Sequence, residues 1–257
     1  MEEKKRSKSR NEAQEELEYY IEAQGLKPHD KLPSERELSE YFEMNRSTLR
    51  MAIQRMVDEG KLYKGEGSGN YVAEPKIVRN LKTMDSLTKL IEQNGKELRN
   101  QVLSATVVES NKQIMQKLKV PLGTKIFQLS RLRFIGDVPF TVETSMMEYA
   151  RFPGIEKIDF EHESLYQTLE EGFGIHISKG TEKLALTFAT EEEAVQLQVQ
   201  PGDPIFFISG IAEDAEGRPV EYFRSVVRPD KIKFSSILVK ETREKEGETY
   251  GITGNHL

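Results

Sequence analysis

The sequence predicts an α+β protein of two domains, and three observations support that class. Residues 12–73 read as capped helices followed by a short hairpin with a glycine-rich turn. Ala73-Glu74-Pro75-Lys76 interrupts the pattern, since a proline drives the residue before it to extended backbone. From residue 81 onward, strands joined by tight turns alternate with short helices, as expected of an antiparallel sheet with helices packed on it. A chain of 257 residues is long enough for two cores. The boundaries that follow are a disordered tail at 1–11, a first domain at 12–73, a linker at 74–80, a second domain at 81–241 and a disordered tail at 242–257.

Taken in order, residues 1–11 are polar, rich in Lys, Arg and Ser, and read as a frayed terminus. Ala13, Leu17, Tyr20 and Ile21 share one face of a first helix that Gly25 stops. Ser34-Glu35-Arg36-Glu37 has the form of a capping box, in which serine and glutamate satisfy each other's backbone amides. Leu38, Tyr41 and Phe42 then fall at i, i+3 and i+4 and predict one buried stripe. Asn45 caps the next helix, whose Leu49, Ala52, Ile53 and Met56 face a core. The opposite face carries Ser47, Arg50 and Gln54, with Arg46 on the first turn. No acidic residue lies between Asn45 and Val57, so this face meets phosphate without repulsion. Lys61-Leu62-Tyr63 and Asn70-Tyr71-Val72 alternate as strands around Gly65-Glu66-Gly67-Ser68-Gly69. Three glycines in that turn leave a backbone free to enter a narrow groove, although a hairpin turn that touches nothing has the same composition.

Two helices and a tight turn in this arrangement suit double-stranded DNA. The start of the second helix enters the major groove, where arginine pairs with both acceptors of guanine and hydroxyls bond to base or phosphate. A purely structural three-helix unit is the alternative. The net charge of −6 does not mark a nucleic-acid binder, but the local charge does. Arg46, Arg50, Arg55, Lys61 and Lys64 stand against only Asp58 and Glu59 between Met44 and Lys64. Modest affinity per monomer, strong salt dependence and a need for dimerisation follow.

LPSEREL, then NRSTLR, then a GxG turn followed by an aromatic residue and Val resemble the winged helix-turn-helix of the GntR family of bacterial transcription regulators. The resemblance covers residues 12–73. It implies that Arg36 contacts phosphate, that Arg46, Thr48 and Arg50 face the groove, and that Gly67 and Gly69 form the wing tip. Ser47 and Gln54 join this DNA-binding set from the exposed helix face. Glu66 departs from the pattern, since many relatives carry a basic or neutral residue there, and an acidic wing tip weakens attraction to phosphate.

In the second domain the expected elements are a helix within Thr83–Gln93, a strand over Gln101–Glu109 and a helix over Asn111–Leu118. Strands at Thr124–Ile135 and Pro139–Glu148 are joined by Gly136-Asp137-Val138. A helix over Ser164–Phe173 turns Leu165, Leu169 and Phe173 inward. An extended run over Ile175–Ala189 leads to a helix capped by Thr190 and Glu193. Strands over Ile205–Glu213 and Pro219–Arg228 flank a turn at Asp214-Ala215-Glu216-Gly217. The order of blocks from GTKIFQLSRLRF to DAEGRPVEYFRSVVRPDKIKF, over about residues 80–239, resembles the UTRA effector-binding domain of the HutC subfamily. That resemblance implies a chorismate-lyase-like fold, a small-molecule pocket and a homodimer formed through this domain.

Arg131 and Arg133, two apart on one strand, point to the same face and repel unless something anionic lies between them. With Ser164 at a helix start they can hold a phosphate or carboxylate, with Tyr166 on the first turn beside it. Glu143 and Glu221 on neighbouring strands then take hydroxyls of a polar ligand, and Ser86 completes the effector-binding set. Arg224 and Arg228 are further candidates. The plain alternatives are a cross-strand Arg131–Glu143 pair on a solvated face and a Ser164 that only caps its helix. Phosphosugar-binding relatives often carry tyrosine where Val227 stands here.

Cysteine is absent, which excludes disulfides, and His29, His162, His176 and His256 have no metal-ligand spacing. No metal and no cofactor are expected. No apolar run approaches the roughly 20 residues of a membrane span, and MEEKKRSKSR is no secretory signal, so the cytoplasm is expected and no membrane partner. The expected function is that of a transcriptional repressor, acting as a homodimer on double-stranded operator DNA and modulated by a small anionic metabolite such as a phosphorylated sugar. The rival is a lyase-like or sugar-phosphate enzyme with a helical appendage, and a third reading gives the second domain dimerisation alone.

Overall fold

A computed structural model describes residues 10–65, 69–83 and 85–237. The first domain holds α1 (Arg10–Ala23), α2 (Glu35–Tyr41), α3 (Arg46–Asp58) and the hairpin β1 (Leu62–Gly65) and β2 (Gly69–Val72). Helix α1 takes in Arg10 and Asn11, which the sequence assigns to the tail. The rest of that tail, and the whole of 242–257, lie outside the described residues.

Both caps form as the sequence requires. The Glu37 amide donates to the Ser34 hydroxyl at 3.3 Å and the Ser34 amide donates to the Glu37 carboxylate at 2.8 Å. Asn45 accepts from the Thr48 amide at 3.0 Å. Ala13, Leu17, Leu38, Phe42, Leu49, Ala52, Ile53, Met56 and Leu62 make one core. Tyr41 does not join it. It sits in the last turn of α2, 65% exposed, with its ring edge-on to Tyr20 and Phe42.

The second domain is a six-stranded antiparallel sheet in the order β4-β5-β6-β9-β8-β7. Its strands are β4 (Leu98–Glu109), β5 (Lys125–Ile135), β6 (Val138–Glu148), β7 (Lys179–Phe188), β8 (Pro204–Glu213) and β9 (Pro219–Val227). Helices α4 (Leu87–Gln93), α5 (Lys112–Leu118), α6 (Leu165–Gln167) and α7 (Glu191–Leu197) fill the connections. The β5–β6 turn needs only two residues, because Val138 already pairs with Ile135. Gly136 has φ 58° and Asp137 does not share it, the pattern of a type II′ turn.

Two stretches depart from expectation. Residues 77–80, expected as linker, form β3 (Ile77–Asn80). This strand pairs in parallel with β10 (Ile232–Ser235), near the far end of the described chain. Ile77 is buried among Ile91, Phe140, Ile208 and Val227, so β3 belongs to the second domain and only 73–76 connects the two. The expected helix over Ser164–Phe173 is one α-turn, α6, followed by a wider π-turn over Thr168–Gly172. Leu165, Leu169 and Phe173 are four apart, and such a series drifts about 40° per step around a regular helix. Widening the turn offsets the drift and keeps all three on the same core.

Among the described residues no helix is long and apolar enough to cross a membrane. Ile77→Ala is expected to lower the unfolding free energy by about 2–5 kcal/mol, the range for truncating a fully buried aliphatic side chain. A denaturant titration monitored on the second domain measures it, and a loss near zero returns 77–80 to the status of a tether.

Candidate nucleic-acid interface and effector cavity

On α3, Arg46, Ser47, Arg50 and Gln54 are exposed. Thr48 is not. It lies on the buried side of the helix beside Leu49 and Ala52, a correction to its expected place in the groove-facing set. Three of the exposed side chains are engaged within the protein. The Arg50 guanidinium reaches Glu35 of α2 at 2.8 and 2.9 Å. The Ser47 hydroxyl donates to Asn45 at 2.6 Å, and Gln54 donates to Asp58 and accepts from Lys64. Arg36 pairs with Glu40 at 3.2 Å and lies with Lys31 and Lys64 in an open groove between α2 and the wing. Arg46 has no ion-pair partner among the described residues.

Gly69 and Gly65 have a packing role. A Cβ on Gly65 would strike the Tyr71 ring at 2.4 Å, and one on Gly69 would meet Lys31 at 2.8 Å. These glycines let Tyr71 and Lys31 cross the hairpin, which then places Lys31 beside the groove. Gly67 and Glu66 lie outside the described residues.

In the second domain, the register of the sheet builds the site. Arg131 faces Glu143 across β5–β6, and Glu143 faces Ser225 across β6–β9. Strand alternation then puts Arg133 on the same side as Arg131, and Glu221 and Phe223 on the same side as Ser225. Helix α4 with its cap Ser86, and α6 with Ser164 and Tyr166, close over this face. Ser86, Arg131, Arg133, Glu143, Ser164, Tyr166 and Glu221 all line one cavity of about 60 Å³. Its mouth shares Asp85, Ser86, Ser164 and Tyr166 with an outer cleft of about 470 Å³.

Buried charges of both signs meet in this cavity. Arg131 and Arg133 are 1% and 4% exposed. Both donate to the same oxygen, Glu143 Oε1, at 2.9 and 2.6 Å. Two cations thus share one carboxylate. The Nε and Nη1 atoms of both arginines are buried and find no acceptor among the described residues. Burial first, and the charge of Arg133 second, pull Arg131 down to about 10. Burial opposes ionisation of Glu143, but Arg133 and Arg131 outweigh it and hold its carboxyl below the ordinary range. Glu221 goes the other way, raised by burial and then by the charge of Glu143, and it accepts from the Tyr166 hydroxyl at 2.8 Å.

Some expectations do not survive. The Arg131–Glu143 pair is buried, not a solvated surface pair. Ser164 makes no capping hydrogen bond, and α6 is a single turn, so a helix dipole adds little here. Arg224 is exposed away from the cavity, and Arg228 is tied to Asp230 and to the carbonyls of Pro139 and Leu197. Val227 is core. Sequence reasoning missed Arg79, Asp85, Thr88 and Ser225 in the cavity wall. Ser225 was legible from its alternation with Glu221 and Phe223, whereas Arg79 sits in a stretch that reads as linker.

Glu221 and Glu143 give the site opposite pH signatures. The raised Glu221 contributes stability that is full below its ordinary value of 4.5 and is lost as pH rises through the folded value. The lowered Glu143 contributes stability above 4.5 that is lost as pH falls through its folded value. Glu221→Gln is therefore expected to gain stability over the parent as pH rises from about 4 to 7 while keeping the acid-side loss. Melting temperatures across that range test it, and parallel curves for the two proteins contradict it.

The chain matches two known families over most of its length. Residues 9–72 match the family described as bacterial regulatory proteins, gntR family, and residues 93–233 match the UTRA domain. It is 30% identical over 220 residues to the HTH-type transcriptional repressor NagR of Bacillus subtilis (strain 168), covering 86% of this chain and 90% of that protein. It is 28% identical over 211 residues to the probable fructoselysine utilization operon transcriptional repressor of Escherichia coli (strain K12), covering 82% and 86%. The crystal structure of PhnF from Mycobacterium smegmatis shares the fold, with a TM-score of 0.67 at 24% identity over 89% of this chain and all of that one. A helix-turn-helix of this pattern joined to this sheet leaves one conclusion: the chain belongs to the GntR family of bacterial regulatory proteins, in its HutC-type branch with a UTRA domain.

Proposed function

We propose that the protein is a cytoplasmic transcriptional repressor that binds double-stranded operator DNA as a homodimer and answers to a small anionic metabolite. The observation that carries the effector half is the pair of buried arginines with surplus donors at the wall of a cavity. A phosphorylated sugar fits it. The charged head satisfies Arg131, Arg133, Ser86 and Ser164, the hydroxyls meet Glu143 and Glu221, and the remainder occupies the outer cleft. Val227, being core, offers no ring for a sugar to stack on. On the DNA side, Arg46, Arg50, Ser47 and Gln54 read the groove, while Arg36, with Lys31 and Lys64, follows the backbone. Both relatives above are named as transcriptional repressors, which supports regulation over turnover.

A second copy is supported by the uncovered edge of the sheet. Strand β7 ends the strand order and exposes Leu184, Leu186 and Phe188 on one face. An apolar edge strand invites pairing with another chain, and a helix-turn-helix reads a two-fold operator only as a dimer. Phe188→Glu is expected to convert a dimer to monomers in sedimentation velocity. A wild-type monomer removes the dimer from this reading.

The two functional halves separate in one experiment, fluorescence anisotropy on a fragment selected from random DNA, with hexose phosphates added. Arg50→Ala is expected to weaken DNA binding by roughly ten- to a hundredfold, the worth of one bidentate base contact. Arg133→Ala is expected to bind DNA normally and to lose both the hexose phosphate response and the thermal shift those ligands give. DNA affinity unchanged in Arg50→Ala, or a ligand response retained in Arg133→Ala, sinks the corresponding half.

A further inference from the structure

We infer that Arg79 is a third cationic contact for the effector, held in the resting protein by Glu182, and that its release from Glu182 carries the state of the cavity to the recognition helix. This rests on the reading of the cavity as the effector site. Three observations lead to it. Arg79 lines the cavity together with Arg131 and Arg133. Its guanidinium is nonetheless bonded to Glu182 on the edge strand β7, with both side chains largely out of water. It stands on β3, where Ile77, two residues earlier and on the same face, is buried in the core.

Arg79 therefore stands between two anionic partners, one built in and one a ligand. Glu182 holds it by a close ion pair that is only partly shielded from water. Burial raises the Glu182 carboxyl above the ordinary range despite the arginine beside it. A phosphate in the cavity adds a full charge on the other side. The guanidinium then turns inward and leaves Glu182.

The connection turns that movement into a signal. Only residues 73–76 separate β2 from β3. Four residues of extended chain span at most about 14 Å, so they absorb little displacement. They are also fastened at both ends. Glu74 bonds Lys96 of the second domain and lies 3.5 Å from His29 of the first. The Lys76 side chain lies across Gly60, just past the end of α3, so closely that a Cβ on Gly60 would meet its Cε at 2.4 Å. A shift at Arg79 is three residues from Lys76, and Lys76 rests on the base of the helix that carries Arg46 and Arg50.

The test uses the full-length protein, inorganic phosphate as the probe in titration calorimetry, and the selected DNA fragment in anisotropy without phosphate. Glu182→Gln is expected to bind phosphate several-fold tighter and, with phosphate absent, to bind DNA several-fold more weakly. Arg79→Gln is expected to bind phosphate several-fold more weakly. The double variant is expected to match Arg79→Gln, because Glu182 acts only through Arg79. Additive effects in the double variant, or single variants that match the parent in both assays, overturn the inference. Arg133→Ala separates this outcome from a failure of the underlying reading. If it keeps parental phosphate affinity, or if the parent binds no phosphate, the cavity is not an anion site. If it loses phosphate while Arg79→Gln and Glu182→Gln do not differ from the parent, the cavity stands and only the role of Arg79 falls.

Discussion

Two guanidinium groups buried side by side on a single carboxylate oxygen set the terms for the second domain. Like charges in a low-dielectric interior repel strongly, and each carries a desolvation penalty of several kcal/mol after relaxation. Glu143 offsets part of that, and four nitrogen atoms of the two arginines are left without acceptors. A core built only for stability would use apolar side chains at these positions. The sheet register, the cap of α4 and the single turn of α6 together bury these two arginines. The fold thus carries an unfavourable centre, which is why an anion is proposed as its ligand.

The DNA-binding face shows a milder version of the same logic. Arg50 and Arg36 are both occupied by glutamates of α2 in the free protein. These are exposed pairs, worth little in water and screened by salt. They keep the arginines extended and oriented without holding them against phosphate or base. A net negative chain thereby presents a basic face whose charge is partly offset by the glutamates of α2. On the proposed reading, association with DNA exchanges one carboxylate partner for another anion of higher charge density.

Much of the architecture was legible because local signals agreed with one another. The caps at Ser34, Asn45 and Thr190, the apolar spacing of α1 and α3, and the alternation along β5, β6, β8 and β9 each named their element. The cavity residues were legible where alternation decides the facing side, as for Arg131, Arg133 and Glu143. What stayed hidden depends on partners distant in sequence. Four residues after a proline read as tether until β10 is there to pair with them. Thr48 looks like a polar groove residue in the string, but its angular position turns it inward. Glu35 on Arg50 requires the packing of α2 on α3, which no spacing rule supplies. Arg79 combines both difficulties, since its strand pairs with β10 from the far end of the second domain and its partner Glu182 lies 103 positions away.

The parallel pairing of β3 with β10 also has a consequence for how the protein comes into being. Its two strands lie 155 positions apart, and β10 is the last strand described. On the ribosome, the helices and hairpin of the amino-terminal unit are complete long before β10 emerges. For most of translation, that unit is joined to its sensor by a strand with no mate. A nascent or truncated chain ending before Ile232 would own a finished amino-terminal unit and an unpaired β3. On the proposed reading, metabolite control is thus the last property the polypeptide acquires, and the first that a stop before Ile232 removes.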